Sequence, residues 1–331
     1  MNKKTILVVL GISILGGLIS GCAEKNVKKA DNYDKNKATV IRIGYQPGHG
    51  QPIVSDELGF FKDEFEKDDV KVELKQFAAG PAIIEAFAAG ELDFGFVGDQ
   101  PAVQGRANNI DLKAVASYSA SESGNGLIAT NESGIKSIED LKGKKIGYTV
   151  GSVGHQLLFK YLEKAGISKE EVELLNLSPA DIYSSIISKK IDGAVTWEPY
   201  LGMVQKEGTA KLIADGTGYK YNVNVIVGKE EFLKNNPELS SRLLKVFNKA
   251  VKWSSDNREE ILNLIEKRSG IKKEVMRAGF EKFDQSLILD KKKIDSISDT
   301  IEYLKKNNTI REEVKIEDLI DTSYLKEAGI Q

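Results

Sequence analysis

Two hydrophobic periods alternate along this chain, and the alternation restricts it to layered α/β folds. In "VIRIGY" (40–45) and "VKVELKQF" (70–77) apolar residues recur at every second position, the period of a half-buried strand. Between them "IVSDELGFFKDEF" has the 3.6-residue period of a helix. "AAGPAIIEAFAAG" (78–90) follows, with a Gly-Pro start, an apolar stripe through Ile83, Ile84 and Phe87, and a stop at Gly90. Then "LDFGFVGDQPAV" (92–103) reads as an apolar strand that halts on Asp99, Gln100 and Pro101. The order β, α, β, α, β predicts a parallel sheet covered by helices.

The pattern then breaks and restarts. The Ser/Gly-rich stretch "SYSASESGNG" (117–126) is predicted to cross between lobes. "SIEDLKGKKIGYTV" predicts a short helix and a strand over 144–150. "GSVGHQLLFKYLEKAG" is a glycine loop opening a helix that ends at Gly166, and "SKEE" (168–171) offers a capping box. "ADIYSSIISKKIDGAVTWEPY" gives a helix, a strand and a second abrupt stop, and "YNVNVIVG" (221–228) a strand returning to the first lobe. From Asn236-Pro237 onward the chain is mostly amphipathic helix. The halves echo each other. Pro81 opens a helix, Leu92-Asp93 a strand, and the strand ends Asp99-Gln100-Pro101; Pro179 opens a helix, Ile191-Asp192 a strand, and the strand ends Glu198-Pro199. Two α/β lobes follow, one from residues 39–120 and 226–331, the other from 121–225.

The first 38 residues stand apart. Lys3 and Lys4 precede an apolar run from Ile6 to Ile19, then Ser20, Gly21 and Cys22. This is a secretory signal over 1–21; the run is short for a spanning helix, which needs about 20 apolar residues. Cys22 is the only cysteine, so no disulfide forms within the chain. Ile-Ser-Gly-Cys resembles the bacterial lipobox, which implies lipidation at Cys22 and a cell-membrane location on the extracytoplasmic face. Residues 22–38, polar and Lys-rich, read as a tether.

In open α/β sheets ligands bind beyond the carboxyl ends of the strands, where helix N-termini present unpaired N–H groups and a positive dipole end. Three loops have that form: Gly80-Pro81-Ala82, Asp99-Gln100-Pro101, and Gly151 to His155. None contains Lys or Arg, so a small anion would be held there by N–H groups and hydroxyls. Gly80, Ser152 and Gly154 allow close backbone approach. Gln46 ends the first strand, His49 sits in the loop "QPGHGQP", and Trp197 and Glu198 end the later strand. Each has a plainer reading: a helix cap for 151–154, a backbone partner for His155, core filling for Trp197, bare exposure for His49. The net charge of −2 argues against nucleic acid as the partner, and the 41% apolar content argues against disorder. The two histidines are far apart in sequence, and neither a phosphate-binding glycine motif nor a Gly-x-Ser-x-Gly elbow occurs. No metal, cofactor or catalytic residue is therefore expected, although Asp99, Glu198 and His155 have the chemistry of an acid or base.

The series "IRIGYQ", "FAAGPAIIEAFAAGELDFGFVGDQP", "SIEDLKGKKIGYTVGSVGHQLL", "LSPADIYSSII" and "IDGAVTWEPY" resembles, in order, the aliphatic sulfonate, taurine and nitrate branch of ABC-transporter solute-binding proteins. The resemblance spans roughly residues 40 to 230. It implies a type 2 periplasmic-binding-protein fold, two lobes with two crossovers and a ligand cleft between them. It further implies a monomeric, lipid-anchored receptor that closes on a small organosulfonate and delivers it to a permease and ATPase. Nitrate, bicarbonate, a thiamine-precursor pyrimidine and a riboflavin-like ring are the alternative ligands; an enzyme and an adhesive surface protein are the rival classes. By match, contacts fall on Gln46, Gly80, Pro81, Asp99, Gln100, Ser152, His155, Trp197 and Glu198. The two carboxylates would repel an anion unless turned away or held by N–H groups, and would suit the ammonium of a zwitterion such as taurine.

Overall fold

The computed structural model describes residues 39–330. The signal segment 1–21, Cys22 and the tether 22–38 lie outside the described residues.

Ten strands form two five-stranded sheets. The first contains β1 (Val40–Tyr45), β2 (Lys71–Gln76), β3 (Phe94–Gly98), β4 (Leu112–Ser121) and, much later in the chain, β10 (Asn222–Lys229), in the order β2-β1-β3-β10-β4. The second contains β5 (Asn125–Thr130), β6 (Lys145–Tyr148), β7 (Glu173–Asn176), β8 (Gly193–Trp197) and β9 (Ala210–Asp215), in the order β7-β6-β8-β5-β9. Each has three parallel strands, then one antiparallel to both its neighbours: β10 in the first, β5 in the second. The two sheets therefore share one topology, and the echo in the sequence falls on corresponding strands, β3 and β8. This is the two-lobed α/β architecture of type 2 periplasmic binding proteins.

Register follows from the two-residue period. On β1, β3 and β4, Ile41, Ile43, Phe94, Phe96, Val115 and Tyr118 face the Pro237–Asp256 helix. On β3, β4 and β10, Val97, Ala114, Val223, Val225 and Val227 face the Gly80–Ala88, Asp99–Ala107 and Lys291–Lys306 helices. The fully buried Phe96 meets Phe247 edge-on at 5.1 Å, and burying such a ring stabilises by about 1.5–3 kcal/mol.

The Ser/Gly-rich stretch corrects the sequence reading. Residues 117–121 are buried strand, and the crossing is only 122–124. Ser and Ala look like loop residues in composition, but here their small side chains let β10 and the 283–289 segment run close beside β4. The Ser121 hydroxyl accepts from the N–H groups of Ser123 and Gly124 and donates to the Lys282 carbonyl, which pins this crossing. The return crossing is 216–221, and a Cβ on Gly216 would overlap the Glu122 carbonyl, so the two crossings lie against each other.

Candidate functional site

A cavity of about 110 Å³ lies where the carboxyl ends of both sheets meet. The first lobe contributes the Gln46–Gln51 loop, Gly80, Pro81, Gly98, Pro101, Tyr118, Ser119, Asn222 and Asn224; the second contributes Asn125, Ser152, Val153, Trp197, Glu198 and Pro199. Met276, Gly279, Phe280, Phe283 and Gln285 complete the wall.

Local sequence builds each part. Gly48, at φ 88°, turns the chain sharply after β1, so that His49 N–H bonds back to the Gln46 carbonyl and the imidazole Nδ1 accepts from Gln46 N–H at 3.2 Å. Gly80 opens its helix so close to the next one that a Cβ would stand 2.9 Å from the Pro101 ring. Ser152 caps the Val153–Ala165 helix: its Oγ accepts from His155 N–H at 3.3 Å and donates to the Thr149 carbonyl at 2.7 Å. The cavity thus meets the starts of the Gly50–Glu57, Gly80–Ala88, Val153–Ala165 and Tyr200–Glu207 helices.

Among the lining residues Glu198 alone carries a formal charge. Its Oε2 accepts from Gly202 N–H at 3.0 Å, and its Oε1 pairs with Lys282 Nζ. Burial pushes the His49 imidazole down to about 3, so it is neutral. The remaining polar lining is amide and hydroxyl. Asn222 Nδ2 donates to Asn224 Oδ1 at 3.3 Å, Asn224 Nδ2 donates to Ser119 Oγ at 2.9 Å, and the Asn125 side chain makes no hydrogen bond among the described residues. Trp197, Met276, Phe280 and Phe283 supply apolar lining. The pocket therefore offers both neutral donors and apolar surface.

Of the residues anticipated from sequence, Gln46, His49, Gly80, Pro81, Ser152, Trp197 and Glu198 line this cavity. Asp99, Gln100, Gly154 and His155 do not. Asp99 is fully buried, its Oδ1 accepting from Gln100 N–H at 2.8 Å while Oδ2 accepts from Thr300 Oγ1 at 2.8 Å and pairs with Lys220 Nζ. A buried carboxylate requires a countercharge, and the return crossing supplies one that the strand-end motif does not reveal. Gln100 is buried behind it, with its Oε1 unpartnered. Gly154 lies under β8, where a Cβ would stand 3.0 Å from the Val195 carbonyl. His155 turns back on its own loop: Nδ1 accepts from Gly151 N–H at 3.1 Å and the ring packs on Tyr148 and Phe159. Missed from sequence were Tyr118, Asn125, Asn222, Asn224, Met276, Phe280 and Phe283. The first four start or occupy strands beside the crossings, a signal available in the pattern; the last three belong to the C-terminal segment, read only as amphipathic helix.

Comparison with known proteins came to the same architecture. The sequence model of the family described as NMT1/THI5 like matches residues 46–261. A protein of Bacillus subtilis (strain 168) named for binding aliphatic sulfonates is 29% identical over 328 residues, covering 98% of this chain and 97% of the relative. A taurine-binding periplasmic protein of Escherichia coli (strain K12) is 27% identical over 211 residues, covering 63% of this chain and 64% of the relative. The alkanesulfonate-binding protein of Xanthomonas axonopodis pv. citri, solved bound to MOPS, superposes with a TM-score of 0.78 at 22% identity, covering 86% of this chain and 99% of that one, which shows a shared fold.

Proposed function

Because the chain belongs to the NMT1/THI5-like family, we propose that it is the extracytoplasmic solute-binding component of an ABC importer, a monomer that captures a small aliphatic sulfonate by hinge closure and hands it to a permease and ATPase. The observation carrying the ligand class is the makeup of the cavity: amide, hydroxyl and helix-start groups without a cationic side chain, together with Trp197, Met276, Phe280 and Phe283. Neutral donors and helix N-termini suit a strong anion that needs no proton, and the apolar wall suits an alkyl tail. Both anticipated carboxylates are engaged, Asp99 by Lys220 and Glu198 by Lys282, which favours a plain sulfonate over taurine, whose ammonium would seek a free one. The volume of about 110 Å³ favours a small solute over a flavin; an engineered cavity of about 150 Å³ holds a molecule the size of benzene. The role is capture and delivery with no chemical step and no cofactor. Attachment to the membrane through a lipid on Cys22 completes the reading.

A thermal-shift screen of short alkanesulfonates, taurine, nitrate, bicarbonate, a pyrimidine and riboflavin tests it. A ligand at 100 times its Kd stabilises by about 2.7 kcal/mol. A rise in melting temperature with alkanesulfonates is expected; stabilisation by none of them, or by riboflavin alone, overturns the proposal.

A further inference from the structure

The loop after β1 and strand β4 meet at a chain of three groups that the sequence did not connect. Gln46 N–H donates to His49 Nδ1 at 3.2 Å, and His49 Nε2 lies 3.2 Å from the Tyr118 hydroxyl. The rings of His49 and Tyr118 are 4.8 Å apart, and Phe96 packs 4.9 Å from Tyr118. Gln51 Nε2 donates to the Tyr118 carbonyl at 3.0 Å, which holds that stretch of β4 to the loop.

Each link fixes the next. A backbone amide nitrogen can only donate, so Nδ1 must present its lone pair. A neutral imidazole with a bare Nδ1 carries its proton on Nε2. That proton points at the Tyr118 oxygen, which therefore accepts. A phenol has one proton of its own, and it cannot also point at Nε2. Tyr118 lines the cavity and its hydroxyl has no second partner among the described residues, so the O–H is left for whatever occupies the cavity.

We infer that the Tyr118 hydroxyl donates to the anionic head of the ligand, and that His49 is a positioning residue that sets its direction through the Gln46 amide. This rests on the anion-binding reading and deepens it: with one lone pair taken by Nε2–H, the phenol proton is free to meet an oxyanion.

Two measurements test it. Nitrogen-15 NMR of the unliganded wild-type protein reports the His49 tautomer and needs no substitution. The proton is expected on Nε2; a proton on Nδ1 overturns the inference whatever the protein binds. Calorimetric titration with ethanesulfonate then compares wild type with Tyr118→Phe. A charge-assisted hydrogen bond lost from the ligand weakens binding about 10- to 100-fold. His49→Ala is expected to weaken binding too, and His49→Gln, whose amide nitrogen can donate to the Tyr118 oxygen in place of Nε2, to restore part of it. Equal affinity in wild type and Tyr118→Phe overturns the inference while leaving the receptor reading intact. Absence of binding by wild type to ethanesulfonate and every other anion fails the anion reading on which the inference rests, and so overturns the ligand contact as well.

Discussion

Both histidines of the chain do one job by the same means. Nδ1 of His49 takes the N–H of Gln46, and Nδ1 of His155 takes the N–H of Gly151, so each ring closes a loop at the mouth of a lobe. Desolvation lowers the first to about 3 and the second to about 4. Both folded values lie below the unfolded value of about 6.5, so the unfolded chain binds more protons as pH falls. The stability is complete above pH 6.5 and is lost progressively toward pH 4, with a slope of at most about 1.4 kcal/mol per pH unit for each ring; below the folded values the slope vanishes. Urea unfolding between pH 7 and 4 is expected to be less steep in pH for His155→Gln than for wild type. Identical slopes would mean that the imidazole is not held neutral.

Among the elements, the two crossings carry the most consequence for their length. The return crossing 216–221 places Lys220 between the start of the Asp99–Ala107 helix and the Lys291–Lys306 helix, where its ammonium also donates to Thr300 Oγ1 at 2.6 Å and Ser296 Oγ at 3.2 Å. Removing one partner of such a buried pair costs about 3–5 kcal/mol, because the other charge is stranded. Lys220→Met is therefore expected to lower the urea midpoint strongly, and Asp99→Asn added to it to recover most of the loss; a small effect of the single change would contradict a closed pair. This pair also marks the limit of what was legible beforehand. The strands and covering helices could be read from their periods, and the paired strand ends located the cleft. The direction in which Asp99 points is not legible at its own strand end, because its countercharge is 121 residues away in a polar stretch that shows no pattern. The β4 residues were read as loop because Ser and Ala at a crowded sheet centre resemble Ser and Ala in a turn. Met276 and Phe280 were invisible as site residues because a helical period reports that a face is covered, not what covers it.

At the scale of the whole molecule, a cavity shared between two lobes makes occupancy and shape one equilibrium. A ligand touching both lobes favours the closed arrangement, and moving a 1:99 balance to 99:1 takes about 5.5 kcal/mol of differential binding. A few charge-assisted hydrogen bonds at about 1.5–3 kcal/mol each suffice. Small-angle scattering is expected to show a smaller radius of gyration once a stabilising sulfonate is added, and unchanged dimensions at saturation would rule out closure. Cys22→Ser is expected to move the protein from the membrane fraction to the medium, whereas retention on the membrane would exclude the lipid as the anchor.

The placement of β10 between β3 and β4 has a consequence for how the chain assembles. A polypeptide that emerges N-terminus first has every strand of the second sheet in hand at residue 215, while the first sheet lacks β10, the strand that joins β4 to β3, until residue 229. The half encoded in the middle can be finished before the half that was begun earlier, and β10 then joins the strands that precede it.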